Sequence, residues 1–254
     1  MHPFMRVLSL LCALALMQAA GCGRGTTTAS PDPEDLALKT QDGVHLTATV
    51  YAAHGPLPPG LVLVHGLGGN RHRWEPFAKR AQRAGYSCLT IDLRGHGDST
   101  TQNGRRLTYR TFTRDNWLAA RQDIDAAKRA LLARGADPDN LALVGASIGA
   151  NLALDYAVDN DDIQAVVLVS PGLDYQGVTT EPAIAAYGTR PVLLMSAEGD
   201  AYAAASCVTL KKAAVGLCEL RSYPGAAHGT DLFATSASAL EQILLWFAPI
   251  IGPH

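Results

Sequence analysis

Residues 141–154 read LALVGASIGANLAL, where a continuous apolar run meets a serine flanked by glycines. The run Leu141–Val144 is typical of a strand that is buried on both faces of a sheet. Gly145-Ala146-Ser147-Ile148-Gly149 follows directly, and Ala150, Leu152, Ala153 and Leu154 then continue at helical spacing. Glycine fits tight turns in which the Cβ atom of any other residue would clash with the backbone. The stretch therefore predicts a strand, a sharp turn that exposes Ser147, and a helix.

Segments of the same two kinds alternate along the rest of the chain from Gly43 onward. The predicted strands are Val44–Tyr51, Leu61–Val64, Ser87–Asp92, Leu141–Val144, Ala165–Val169 and Val192–Met195. The predicted helices are Trp74–Ala84, Trp117–Arg134, Ile148–Val158, Ala203–Val215 and a last helix in which Ser238 and Glu241 have capping-box spacing. This alternation predicts an α/β fold with a doubly wound, mostly parallel sheet.

Composition excludes several classes of protein. Hydrophobic residues make up 48 % of the 254 residues and charged residues 17 %, which is typical of a globular chain. The formal net charge is -2 and no basic block occurs, so we expect no nucleic-acid partner. The spacing of His, Cys and Asp does not match a metal site, and no phosphate-binding loop is found. We therefore expect no metal and no cofactor.

The first residues have the features of an export signal. Arg6 precedes the apolar run Val7–Met17, which is too short to cross a bilayer, and Ala19-Ala20-Gly21 precedes Cys22. This arrangement resembles a bacterial lipoprotein signal, which implies cleavage before Cys22, lipidation of Cys22 and attachment to a membrane of the cell envelope. Ala19 departs from the Leu that is usual there. The alternative is an ordinary cleaved signal and a secreted, soluble protein.

The predicted organisation has three parts. Residues 1–21 are assigned to the signal peptide, residues 22–35 to a polar tether, and residues 36–254 to one folded domain. The stretch GRGTTTASPDPED, residues 23–35, is too polar to bury a core of its own.

Ser147 is the candidate nucleophile, because a strand–turn–helix context around Gly-x-Ser-x-Gly exposes the serine hydroxyl above the sheet. The helix that begins after Ser147 directs its positive N-terminal end toward a developing oxyanion. A serine that only caps a helix in a glycine-rich turn is the structural alternative.

Three further stretches make the chain resemble the α/β-hydrolase family of serine esterases and lipases. They are His65-Gly66-Leu67-Gly68-Gly69, Asp92-Leu93-Arg94-Gly95-His96-Gly97-Asp98-Ser99 and Ala197-Glu198-Gly199-Asp200, in the family's order. The resemblance implies an oxyanion hole formed by the backbone N–H groups of Leu67 and Ile148. His65 is expected to support its own loop rather than to react.

The base and the acid are assigned by their order along the chain. Of the eight histidines, His228 lies well beyond Ser147 and follows the last strand candidate, so it is the candidate base. Asp200, after Val192–Met195, is the candidate acid that orients the imidazole. Asp174, after Ala165–Val169, is the alternative acid.

Five cysteines are present, and Cys207 and Cys218 are a possible disulfide pair outside the cytoplasm. Ser170–Pro191 leaves room only for a minimal cap, with Tyr175, Tyr187 and Tyr202 as candidates for the mouth of the pocket.

The prediction is a serine hydrolase that cleaves short-acyl or small, exposed carboxylic esters through an acyl-enzyme. An aminopeptidase-like or thioesterase-like hydrolase on the same triad is an alternative, as is a non-catalytic surface lipoprotein with this fold.

Overall fold

The computed structural model describes residues 30–253, so the predicted signal peptide and Cys22 lie outside the described residues. The first strand begins at Glu34, and the last two residues of the predicted tether therefore belong to the sheet. In the described part of the chain, no helix alone is both long and apolar enough to cross a bilayer. One pair of helical segments, Gly229–Thr235 and Ala237–Ile251, meets the criteria together but is bent by 112°.

A mostly parallel sheet occupies the centre of the described chain. Its strands are β1 (Glu34–Lys39), β2 (Val44–Tyr51), β3 (Pro59–Val64), β4 (Ser87–Ile91), β5 (Thr101–Gln102), β6 (Arg105–Arg106), β7 (Asp137–Ala146), β8 (Ile163–Val169), β11 (Val192–Ala197) and β12 (Cys218–Tyr223), while β9 (Asp174–Tyr175) and β10 (Val178–Thr179) form a separate hairpin. The strand order is β12-β11-β8-β7-β3-β4-β2-β5-β6, with β1 beside β2. β2 is antiparallel to β1, β4 and β5, and the strands from β4 through β3 to β12 run parallel.

Helices cover both faces of this sheet. They are α1 (Glu75–Arg83), α2 (Arg114–Ala119), α3 (Arg121–Ala133), α4 (Ile148–Val158), α5 (Glu181–Ala186), α6 (Ala201–Ala213), α7 (Leu232–Thr235) and α8 (Ala237–Ile251). α3, α4 and α6 pack on one face, and α1 and α8 pack on the other. The central parallel strands β3, β8 and β11 are mostly apolar because both of their faces are buried.

The predicted fold class is confirmed, and the differences are local. The strand β1, the β5–β6 hairpin and the hairpin β9–β10 were not predicted, because short or exposed strands carry little apolar patterning. The predicted capping box at Ser238 is wrong. Helix α8 already begins at Ala237, and Glu241 pairs with Arg80 instead.

The segment between β8 and β11 forms the minimal cap that was predicted. It contains only the hairpin β9–β10 and the six residues of α5. This small cap lies over the carboxyl ends of the parallel strands, the edge at which ligands bind in open α/β sheets.

Candidate active site

Ser147 stands between β7 and α4 in a strained conformation, with φ 55° and ψ −126°. Its N–H donates to the carbonyl of Val169 at 2.9 Å, which fixes the turn to the neighbouring strand. A Cβ on Gly145 would lie 2.2 Å from the carbonyl oxygen of Gly149, and a Cβ on Gly149 would lie 2.4 Å from that of His65. Only glycine fits at these two positions, so the sequence builds the turn that lifts the Ser147 hydroxyl above the sheet.

The structure brings Ser147, His228 and Asp200 together. Nε2 of His228 lies 2.8 Å from Oγ of Ser147, and Nδ1 of His228 lies 2.7 Å from Oδ2 of Asp200. Since a carboxylate only accepts, Nδ1–H donates to Asp200, and Nε2 is left to accept the hydroxyl proton of Ser147. This is the tautomer that a general base needs. The Asp200 side chain is 13 % exposed and that of His228 44 %.

Backbone contacts hold the two loops that carry the acid and the base. Gly199 donates its N–H to the carbonyl of Gly225 at 2.7 Å, which joins the loop after β11 to the loop after β12. Gly229 donates its N–H to Oγ of the buried Ser170 at 2.9 Å, directly after His228. The contribution of Ser170 was not predicted, because a single serine after a strand carries no distinctive pattern.

The predicted oxyanion donors belong to segments that flank Ser147. Ile148 is the first residue of α4, where backbone N–H groups have no partner within the helix. Leu67 lies in the turn closed by a bond from the Gly69 N–H to the Gly66 carbonyl. A Cβ on Gly66 would lie 3.1 Å from Cβ of Ser147, which shows how closely this loop approaches the serine.

His65 is fully buried and contacts the loop Gly66–Gly69, which carries the predicted donor Leu67 and is called the oxyanion loop below. Its Nε2 accepts from the N–H of Leu93 at 3.0 Å, so Nδ1 carries the proton and donates to the carbonyl of Gly66 at 2.7 Å. Burial, together with the nearby His96, lowers the pKa of His65 to about 4. His65 is therefore neutral near pH 7 and links the oxyanion loop to the loop after β4.

Two buried arginines hold the loop after β4, Asp92–Ser99, in place. Arg94 is bound by Asp123 at 2.8 Å and by Asp42 at 2.8 Å, and Arg71 is bound by Asp92 at 2.7 Å. Burial tends to raise the pKa of the Asp123 carboxyl, and the Arg94 guanidinium opposes this. These networks fix the Asp92–Ser99 loop against the sheet.

The cap hairpin places Tyr175 beside the candidate base His228. The Tyr175 ring meets the His228 imidazole edge to face, with 6.2 Å between ring centroids, and its phenol approaches the Ser147 side chain as a potential hydrogen-bond partner. Tyr202 packs on Tyr175 at 5.6 Å, and its hydroxyl bonds the backbone of Asp174. Tyr187 is buried at the end of α5 and, unlike the other two, does not contact these residues.

The hairpin itself is anchored to α4. Asn151 is fully buried, and its side chain donates to the carbonyl of Val178 at 2.8 Å and accepts from the N–H of Gly172 at 3.1 Å. Asn151 was not among the predicted site residues, although a polar residue in the otherwise apolar first half of α4 was a readable signal.

Asp174, the alternative acid, lies in the hairpin and is exposed. Its Oδ1 accepts from the N–H of Gly177 at 2.7 Å, so the carboxylate closes the hairpin turn. The structure pairs His228 with Asp200 and not with Asp174.

The proposed disulfide is not formed, because Cys207 and Cys218 are both free thiols. Cys207 is fully buried between α6 and the sheet, where its thiol meets Ser196. Within residues 30–253, no cluster of His, Cys, Asp and Glu is arranged to hold a metal ion.

A cavity of about 140 Å³ opens beside the Ser147 hydroxyl. It is bounded by the oxyanion loop Gly66–Gly69 on one side and by His228–Asp231 on the other, with Arg73 at its edge. Arg73 and Asp231 form an exposed ion pair across this edge, 3.1 Å apart. The candidate nucleophile, the candidate base and the loop that carries Leu67 therefore surround a small space.

Comparison with known proteins agrees with this geometry. Residues 59–208 match the family described as the alpha/beta hydrolase fold. The chain is 31 % identical over 154 residues to the quorum-quenching protein AidA of Acinetobacter baumannii. The matched region covers 60 % of this chain and 48 % of that protein. It is 30 % identical over 136 residues to a thermostable monoacylglycerol lipase of a Bacillus species, covering 54 % of this chain and 46 % of the lipase. The chain thus spans about half the length of these relatives.

Solved structures are similar over a larger part of the chain. The esterase Pf2001 of Pyrococcus furiosus has a TM-score of 0.70 at 15 % identity, covering 87 % of this chain and 93 % of the esterase. A thermostable carboxyl esterase of Bacillus coagulans has a TM-score of 0.68 at 12 % identity, covering 87 % of this chain and 100 % of that one. At such low identity these likenesses concern the fold alone.

Proposed function

We propose that this chain, which belongs to the α/β-hydrolase fold family, is a serine hydrolase that cleaves carboxylic esters. The observation that carries the proposal is the chain of contacts from Ser147 through His228 to Asp200, at 2.8 and 2.7 Å. A sequence relative named as a monoacylglycerol lipase and structural neighbours named as esterases support an ester as the substrate.

The geometry suits a two-step reaction. Oγ of Ser147 attacks the ester carbonyl while His228 accepts its proton, and the backbone N–H groups of Leu67 and Ile148 stabilise the oxyanion. His228 then gives the proton to the alkoxy oxygen, the carbon–oxygen bond breaks, and the alcohol leaves an acyl-enzyme on Ser147. Water repeats the sequence on the acyl-enzyme and releases the acid. Asp200 keeps the imidazole in the required tautomer throughout.

The acyl group is short, or the ester is small and exposed. The cap consists of one hairpin and one short helix, and the cavity at Ser147 measures only about 140 Å³. A long acyl chain needs a deep tunnel, which a cap of this size does not build. The same triad would also serve amide or thioester substrates, and the choice among them is a matter for measurement.

Replacement of Ser147 tests the proposal. Ser147→Ala is expected to lower ester turnover by at least about 10³-fold, because the residue that forms the covalent intermediate is lost. A fluorophosphonate probe should label the wild type and not this variant, while Ser238→Ala, a change at an exposed serine, should label normally. A panel of acetyl esters, amides and thioesters ranks the bond types. Ester hydrolysis at the wild-type level in Ser147→Ala would overturn Ser147 as the nucleophile. A wild type that is neither labelled nor able to hydrolyse esters would favour a non-catalytic protein.

The location is a second part of the proposal. The sequence Ala19-Ala20-Gly21-Cys22 supports an exported protein whose Cys22 carries a lipid that holds it to a membrane of the cell envelope. Cys22→Ser should release the protein into the soluble fraction with unchanged catalytic constants. Mass spectrometry of the mature N-terminus distinguishes this from ordinary secretion, for which the N-terminus would be unmodified in the wild type.

A further inference from the structure

An apolar groove of about 300 Å³ adjoins the catalytic cavity. Its walls are made by Pro76, Phe77, Phe233, Ala234 and Leu240, from α1, α7 and α8. The catalytic cavity itself is polar, being bounded by glycine backbone, Ser147 and His228. Two spaces of opposite character thus lie side by side, and the ester hydrolysis proposed above uses only the first.

The groove and the cavity are neighbours. Arg73, Thr230 and Asp231 line both of them, so a molecule held at Ser147 reaches the groove by passing these residues. The Arg73–Asp231 ion pair stands at the boundary, with both side chains more than half exposed. Exposed pairs contribute little free energy, so a passing chain displaces this one at little cost.

The chemistry decides which half of an ester points this way. The oxygen of the leaving alcohol must lie next to Nε2 of His228, because it receives its proton from that atom. Thr230 and Asp231 come shortly after His228 in the chain and line both the cavity and the groove, and the same segment continues to Phe233 and Ala234 in the groove wall. The oxyanion loop occupies the opposite wall, where the carbonyl oxygen is held. An alcohol that leaves past His228 therefore meets the groove.

We propose that this groove binds the alcohol portion of the substrate, and that the substrate is a short-acyl ester of an apolar alcohol. The proposal rests on the ester hydrolase function inferred above and deepens it. Phe233 forms the floor together with Phe77, and both rings pack on the buried Trp74, at 5.6 and 5.9 Å between centroids. This packing preforms the groove before a substrate binds, which reduces the ordering cost of binding.

Esters in which either the alcohol or the acyl chain is longer test the assignment of the groove to the alcohol. For ethyl acetate, hexyl acetate and ethyl hexanoate, kcat/KM should rise from the first to the second by at least 10-fold, and not from the first to the third. Burying a methylene contributes about 0.8 kcal/mol, a factor of about four when burial is complete, and four methylenes are added. Equal values for the two acetates, or a gain that follows the acyl side, would overturn the proposal.

A filling variant locates the effect. Ala234 is exposed at the groove wall, and Ala234→Phe should bring the ratio of hexyl acetate to ethyl acetate close to one. Ala237→Phe is the matched control, because Ala237 is also exposed, lies three positions further along the chain and does not line the groove. A ratio that survives Ala234→Phe would show that the chain binds elsewhere.

A binding measurement separates this proposal from the proposed function. Hexan-1-ol should bind to the Ser147→Ala protein and quench or shift tryptophan fluorescence through Trp74, whereas ethanol should not, and Ala234→Phe should abolish the change. If hexan-1-ol binds but no ester is hydrolysed by the wild type, the hydrolase function is wrong and the groove stands. If esters are hydrolysed but hexan-1-ol does not bind, the groove proposal is wrong.

Discussion

Oδ2 of Asp200 lies 2.7 Å from Nδ1 of His228, although the two residues come from loops after different strands. Asp174 lies in the cap hairpin, where its carboxylate accepts a hydrogen bond from the N–H of Gly177. The two candidate acids that the chain order leaves open are therefore in different environments, and only Asp200 contacts the imidazole.

Substitution of each acid checks this distinction. Asp200→Asn is expected to lower kcat by about 10⁴-fold, because an amide favours the wrong imidazole tautomer. Asp174→Asn should change kcat by less than about 5-fold, since the hairpin turn keeps an acceptor at that position. Steady-state kinetics on one activated acetyl ester measures both, and the reverse order would make Asp174 the acid.

Gly149 in α4 offers a test of the turn. Alanine normally favours a helix over glycine by about 1 kcal/mol. Here its Cβ would lie 2.4 Å from the carbonyl oxygen of His65, so we expect Gly149→Ala to destabilise the fold by about 2 kcal/mol and to impair turnover. Gly135→Ala, where a Cβ meets nothing within 4 Å, should cost only the strain of its positive φ, about 1 kcal/mol. Urea unfolding compares the two, and a stabilised Gly149→Ala would contradict the geometry.

His65 gives a pH dependence of stability. The pKa of His65 is about 4 in the folded protein and near 6.5 when unfolded, so the unfolded chain binds more protons between these values. His65 therefore makes its full contribution to the free energy of unfolding above about pH 6.5. This contribution is lost as the pH falls toward about 4, and the loss is up to about 3 kcal/mol. Urea unfolding from pH 7 to 4.5 measures the loss.

Imidazole NMR assigns this change to His65. Its ring should stay neutral at pH 5, with the proton on Nδ1. A His65 ring that is already charged at pH 6 would contradict the assigned tautomer and its bond to Leu93.

Tyr175 is expected to assist the reaction through its hydroxyl. Tyr175→Phe keeps the edge-to-face contact with His228 but removes the group that approaches Ser147, so we expect a fall in kcat of about 3- to 30-fold, as for a lost hydrogen bond. Tyr187→Phe is the matched control, because the Tyr187 hydroxyl has no hydrogen-bond partner within residues 30–253. Equal kcat values for the two variants would leave Tyr175 a packing residue.

The cysteines give a direct chemical test. After denaturation, Cys88, Cys207 and Cys218 should all react as free thiols. In the native protein the reaction should be slow, because burial raises the pKa of Cys218 to about 11 and that of Cys207 to about 12. Only one reactive thiol among these three after denaturation would show that Cys207 and Cys218 form a disulfide.

Much of this molecule is readable from local pattern. The apolar runs at β3, β4, β7, β8 and β11 were recognised because strands buried on both faces are rich in apolar residues. Ser147 was readable for a similar reason, since the glycines around it have no substitute in so tight a turn. In the buried strands and in the turn at Ser147, the local backbone conformation and its burial restrict which residue types fit.

Other features arise only when distant segments meet. Asp200 was preferred to Asp174 by analogy of order, but its contact with His228 depends on how the loops after β11 and β12 lie against each other. The contact partners of Ser170, Asn151 and Tyr175 could not be predicted, because each of these residues contacts a group remote in sequence. The Cys207–Cys218 prediction failed on the same ground, since nearness of two elements does not orient their side chains. Sequence alone thus determined the strand–turn–helix elements and singled out Ser147 as the candidate nucleophile, because those follow from local sterics and burial. The tertiary structure decided which groups surround Ser147, because their positions depend on packing between elements far apart in the chain.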